Sequence, residues 1–302
     1  MKKLHRKGQN RGQYRDDGPR AARSDSRPRP QTSKNANPTS WGGVAGWYKN
    51  LLEHESSTYQ SDVVLPNLLR LVNPGPDDHI LDLACGQGYF ARAFAQLGAK
   101  ITASDIAPEL IAHAKKLETN ATPKTGTRRN EIIYHVSPAE RIAYLGPRSV
   151  NKAMIILAIQ NIEHIHSVFA EVSRVLKPGG SFVLVLNHPM FRAIKRSGWG
   201  WDETKDSQQP KQYRRIDAYM SESREKIDMT PGTNDPRRKI ETVSFNRPLQ
   251  VYVKSLSKTG FAITRIEEWI SHKESGPGPR KFEEDRMRKE IPLFMAIECK
   301  LI

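Results

Sequence analysis

The chain has 302 residues and a formal net charge of +15, long enough to bury one good-sized core or a core with an appendage. Its longest uninterrupted apolar run is Ala153–Ile159, far short of the roughly 20 residues that span a bilayer. The basic N-terminus lacks the apolar stretch of a secretory leader, and two cysteines, Cys85 and Cys299, are too few for a disulfide framework, so a cytoplasmic location is expected.

Residues 1–38 carry eleven Lys and Arg against three Asp, a net of +8, with almost no apolar residues. Such a segment cannot offset its chain entropy by burial and is expected to be disordered. It reads as a solubilising tail or as a weak, salt-sensitive nucleic-acid arm. An ordered domain is expected over 39–302. Two helices are expected across 41–72, the second marked by the stripe Val63, Leu65, Leu68, Leu69 and Val72.

HILDLA (79–84) has the pattern of a buried strand, and the turn after it opens a helix, YFARAFAQLG (89–98). KITASD (100–105) is a second strand, followed by a helix with Pro108 in its first turn. EIIYHV (131–136), KAMIILA (152–158) and SFVLVLN (181–187) supply three more strands, with an amphipathic helix (166–177) before the fifth. Strands alternating with helices predict a doubly wound, mostly parallel α/β sheet with right-handed crossovers.

From 188 to 246 the pattern breaks down into polar and aromatic sequence, expected to be a lid or binding loop. A helix (248–260), a strand (261–270), a charged linker (271–290) and a final strand (291–301) follow. The last two strands are expected to form a hairpin, making seven strands with the last antiparallel. No metal-ligand cluster is visible.

The stretch ILDLACGQG (80–88), continued to Ala91, fits the loose G-x-G-x-x-A fingerprint of dinucleotide sites. Asp82 argues against that ligand, because a carboxylate at the strand end repels a pyrophosphate. It suits a ligand carrying an amino group or a sulfonium. No Gly-Lys-Ser/Thr follows, which excludes a Walker-type loop. Asp105, at the end of the second strand, stands where an acid accepts the hydroxyls of an adenosine ribose; the alternative is a cap for the helix beginning at Pro108.

Together, D-L-A-C-G-Q-G, the acid Asp105 and RVLKPGGSFVLV (174–185) resemble class I S-adenosylmethionine-dependent methyltransferases of the small-molecule type. Ala84 stands where a glycine is common. The resemblance covers about 45–189 and implies a Rossmann-like fold, S-adenosyl-L-methionine as cofactor and S-adenosyl-L-homocysteine as product. It implies a methyl-donor site made by Asp82, Ala84, Cys85, Gly86, Gly88, Asp105 and Ile106, with Leu157 after the fourth strand. Ser137 and Ala139 take the adenine-contact places, where an acid is usual.

Gln160 and Asn161 fall on the active-site rim. Asn187 and His188 end the fifth strand, with His188 either a general base or a structural histidine holding the loop that follows. Trp47, Tyr48 and Tyr59 would close the donor pocket or pack in the core. Trp199, Arg214 and Tyr219, with Trp201, Tyr213 and Arg215, suggest a planar or anionic acceptor, or internal packing of the insertion. The segments NHPMFR, SGWGWDE and SFNRPLQVY resemble a bacterial group whose substrate is unassigned.

The expected function is methyl transfer to a small-molecule acceptor by in-line displacement, with no membrane partner. The alternatives are a nucleic-acid methyltransferase using the basic tail, and a non-catalytic S-adenosylmethionine-binding protein. The N/D-P-P-Y/F tetrad of base-methylating enzymes is absent, since NHPM (187–190) occupies its place. Acceptor identity and oligomeric state stay open.

Overall fold

In the computed structural model the described residues are 57–119, 131–202, 210–229 and 240–302. The basic tail, Trp47 and Tyr48 lie outside them. A π-helical turn, Gln60–Val64, runs into α1, Leu65–Val72, which buries Leu68 and Val72. Asn73 ends α1 in the left-handed conformation at φ 44°, one of the few conformations that asparagine tolerates better than most residues.

The central unit follows in order. β1 is His79–Leu83, α2 Tyr89–Ala95, β2 Lys100–Asp105, α3 Pro108–Thr119, β3 Ile132–Val136 and β4 Val150–Ile156. A 3-10 turn, Ile159–Asn161, leads to α4, Ile165–Val175, and β5, Leu176–Asn187. Two short antiparallel pairs come next: β6, Ser197–Asp202, with β7, Lys211–Ile216, and β8, Ser223–Asp228, with β9, Glu241–Asn246. The chain finishes with α5, Leu249–Lys258, β10, Phe261–Trp269, α6, Lys281–Glu290, and β11, Phe294–Leu301.

The main sheet has seven strands in the order β10-β11-β5-β4-β1-β2-β3. β11 alone runs antiparallel to both of its neighbours. The central strands are near-continuous apolar runs because both faces are covered, as parallel sheets require. One face packs on α1, α2 and α3 through Leu68, Phe90, Phe94 and Ile111. The other packs on α4 and α5 through Val168, Phe169, Phe182 and Tyr252.

Three local expectations need correction. The insertion is not structureless: it contains β6 to β9. Their cores are thin, with β7 alternating only between exposed and half-buried positions, so ladder hydrogen bonds rather than apolar burial hold them. That left little hydrophobic periodicity to read. The linker at 271–290 holds α6, whose acids Glu283 and Glu284 sit in the first turn and Arg288 and Lys289 in the last, complementing the helix dipole. Only Met287 of α6 is buried, so it too lacks an apolar stripe. β10 and β11 pair as expected, but α6 joins them in place of a tight hairpin turn.

Gly88 sets the start of α2. It is left-handed at φ 69°, and a Cβ there would lie 2.5 Å from the Tyr134 hydroxyl. Gly88→Ala should lose about 2–4 kcal/mol of stability in urea unfolding, combining left-handed strain with overpacking. Gly146→Ala, where nothing lies within 4 Å, should stay within about 0.5 kcal/mol of the wild type.

Candidate active site

Strand order reverses between β1 and β4, since β2 and β3 lie on one side of that pair and β5 on the other. Ligands of open α/β sheets bind at such a switch, outside the carboxyl ends of the strands. A cavity of about 230 Å³ opens there, lined from β1, the glycine loop, the ends of β2 and β4, and Ser137–Glu140 after β3.

The loop is held by main-chain bonds. Cys85 N–H donates to the Ser104 carbonyl at 2.9 Å, and Gly88 N–H to the Cys85 carbonyl at 2.9 Å. Asp105 ties it to β2: Oδ2 accepts from Gly86 N–H and Oδ1 from Ala107 N–H, both at 2.9 Å. Asp105 thus caps the turn into α3 while its carboxylate still borders the cavity. Ala84 and Leu157 are both left-handed at φ 54° and both line the cavity. Each carries a strain of about 1–2 kcal/mol that a glycine would relieve.

Four acidic residues, Asp82, Asp105, Glu140 and Glu163, are among those that line the cavity, and among the described residues no lysine or arginine does. Asp82 is 1% exposed, and its Oδ2 has no hydrogen-bond partner. Burial, and secondarily the charge of Asp105, push its pKa up to about 8, against a bond from Ala91 N–H. Burial also raises Asp105, opposed by the N–H groups of Ala107, Gly86 and Ile106. The Cys85 thiol is pushed well above its ordinary value by burial and the two carboxylates, so it stays protonated and is no nucleophile. A pyrophosphate would add charge beside Asp105 and hold Asp82 in its protonated form; a cation would instead favour ionised Asp82.

Nine of the expected donor-site residues line this cavity: Asp82, Ala84, Cys85, Gly86, Asp105, Ile106, Ser137, Ala139 and Leu157. Gly88 lies one layer behind, against Tyr134. Sequence reasoning missed Gln60, Gln87, Tyr89, Phe90, Leu110, Glu140 and Glu163, which also line it. Leu110 belongs to the helix after Asp105, so its place was inferable. Gln60 and Glu163 arrive only through tertiary packing.

The expected acceptor residues are dispersed. Asn161 lines the cavity, but Gln160 turns back and donates from Nε2 to the Leu157 carbonyl at 2.7 Å. Gln160 and His188 border a separate cavity of about 20 Å³. His188 is 3% exposed, and its Nδ1 accepts from the N–H groups of Met190 and Phe191 at 3.3 Å. Its Nε2 therefore carries the proton and donates to Glu268 Oε1 at 2.7 Å. Burial lowers its pKa, with Glu268 opposing. With both nitrogens engaged, the ring is placed to hold the loop after β5.

Tyr59 packs edge-on against His272 and Phe294. Arg214 stacks over Trp199 at 4.8 Å and donates to the Phe191 carbonyl and, at 2.8 Å, to Ser197 Oγ. The Tyr219 hydroxyl accepts from Leu249 N–H at 2.8 Å, satisfying the first turn of α5. None of these three insertion residues reaches the cavity at the switch.

The domain is thus Rossmann-like, with a glycine loop, an acid at the end of β2 and a cavity lined by acidic residues. Residues 81–184 match the family model described as methyltransferase domain. The chain is 30% identical over 111 residues to a ubiquinone biosynthesis O-methyltransferase of Xanthomonas campestris, covering 36% of this chain and 43% of that protein. It is 32% identical over 116 residues to a ubiquinone/menaquinone biosynthesis C-methyltransferase of Zymomonas mobilis, covering 38% and 45% respectively. The chain thus spans less than half the length of these curated relatives. An S-adenosylmethionine dependent methyltransferase structure from Mesorhizobium loti shares the fold at a TM-score of 0.59 and 23% identity, over 80% of this chain and 100% of that one. The family match lies within residues 81–184, and the fold is that of S-adenosylmethionine dependent methyltransferases of known structure. Among the described residues, no helix is long and apolar enough to cross a membrane, and no cluster of metal-binding side chains occurs.

Asp82 yields a stability test. Its folded-state pKa of about 8 lies above its ordinary 3.8, so ionisation opposes folding and stability is lost as pH rises between those values. Asp82→Asn removes that ionisation. In urea unfolding, the variant should gain on the wild type as pH rises from about 5, the gap levelling off above about 8.

Proposed function

We propose that the protein transfers the methyl group of S-adenosylmethionine to a small-molecule acceptor. The observation that carries this reading is the cavity at the β1/β4 switch, lined by four acidic residues, one of which, Asp82, has a buried oxygen without a partner. The cofactor fits that donor set: it is cationic at sulfur and at its amino group, and its ribose offers two hydroxyls. When bound, it supplies a methyl group already activated on a sulfonium.

The residues then divide the work. Asp82 and the loop Ala84–Gly86 take the amino-acid end, and Asp105 accepts from the ribose hydroxyls. Ile106, Leu110, Pro138 and Ala139 offer an apolar slot for the adenine. Since the leaving group is preactivated, holding the two reactants in line and excluding water supplies most of the rate. His188 enters this proposal as a support for the loop after β5, because neither of its nitrogens is free to take a proton. The relatives include one O- and one C-methyltransferase of quinone biosynthesis, matched over only about a third of this chain. They support a small-molecule acceptor without naming it.

Isothermal titration of S-adenosylhomocysteine into the full chain tests the proposal, with NAD and an Asp105→Ala variant alongside. Binding should weaken by about tenfold or more in the variant, the size of a lost charge-assisted hydrogen bond. NAD should not bind. Folded wild-type protein that ignores S-adenosylhomocysteine, or that binds NAD, would overturn the reading.

A further inference from the structure

The turn between β4 and α4 is bonded to the insertion at four successive residues. The Gln160 carbonyl accepts from Ser244 Oγ at 3.4 Å, and Asn161 Nδ2 donates to the Val243 carbonyl at 2.9 Å. The carbonyls of Ile162 and Glu163 both accept from one nitrogen, Arg247 Nη2, at 2.9 and 2.8 Å. Asn161, Ile162 and Glu163 are a wall of the methyl-donor cavity. Among the described residues, none of β6 to β9 lines that cavity, and these strands meet it through this wall.

Arg247 is well suited to fixing the wall. It follows β9 directly, is 6% exposed, and lies over the Phe245 ring at 4.7 Å. Glu222 stands 3.8 Å from its Nε, which links it to the segment before β8. A guanidinium is planar and holds its donors in a fixed fork, so two adjacent carbonyls held by it lose their freedom together. Without that clamp, the wall would keep its short 3-10 bonds, Asn161 N–H to Ala158 and Ile162 N–H to Ile159, and the Asn161 side-chain bond to Val243, while the Ile162 and Glu163 carbonyls would lose the guanidinium. Short 3-10 turns are weak on their own.

We propose that Arg247 is a positioning residue, through which the insertion after β5 holds the Asn161–Glu163 wall in its donor-binding shape. This rests on the methyltransferase reading above and deepens it: the insertion serves the donor site as well as whatever acceptor it covers.

The experiment compares full-length wild type, Arg247→Met, which keeps the stem and loses the fork, and Arg247→Lys, which keeps a cationic donor. S-Adenosylhomocysteine affinity is measured by titration, and amide hydrogen exchange is followed on the protein without ligand. Arg247→Met should bind about tenfold more weakly, with Arg247→Lys recovering part of the loss. Exchange should quicken in 158–163 while β1 and β4 keep their protection. Affinity within about twofold of wild type in Arg247→Met would overturn the proposal, as would exchange rising evenly across the sheet. Wild-type protein that fails to bind S-adenosylhomocysteine would instead overturn the donor reading, and this proposal with it.

Discussion

Because β2 and β3 lie on one side of β1 while β4 and β5 lie on the other, the helices following β1 and β4 leave on opposite faces of the sheet. The ends of those two strands are then left uncovered, and everything in the site is arranged around that gap. The glycine loop turns sharply at the end of β1 to start α2. Leu157 adopts an unfavourable conformation at the end of β4. Asp105 reaches across from β2 to tie the loop down. Each is a local consequence of one crossover choice.

Into this gap the chain puts acidic side chains, and among the described residues no lysine or arginine lines it. Ionising a buried acid with one unpartnered oxygen is costly, and burial holds Asp82 toward its protonated form. The left-handed Ala84 adds conformational strain at the same spot. A core selected for stability alone would have neither feature. They make sense where a cationic ligand offsets the repulsion, so that part of the binding energy comes from relieving the free protein.

The insertion works by a different physics. Its strands bury little apolar surface, and its aromatic and arginine side chains both stack on one another, as Arg214 on Trp199, and bond to backbone groups, as Tyr219 does at the start of α5. Hydrogen bonds to main-chain carbonyls carry its attachment to the domain. Such contacts are directional, so they transmit position well even where they add little stability.

The amino-acid sequence by itself determined the parallel sheet, its antiparallel last strand and the glycine loop after β1. These rest on short-range patterns: apolar runs of strand length, glycines at fixed spacing, and acids at the ends of β1 and β2. Asp82 and Asp105 were legible because a strand end followed by a glycine turn locates a side chain without knowledge of the rest of the fold. Tertiary structure alone decided the roles of His188, Arg214 and Tyr219, which the type of side chain left open. A histidine becomes a base or a post according to what its two nitrogens meet, and here they meet Glu268 and two backbone N–H groups, the first of them 80 residues away. The hairpins of the insertion, α6, and the closing of the cavity at the switch by Gln60 and Glu163 were equally hidden. They depend on pairings between distant segments, and no local periodicity encodes those.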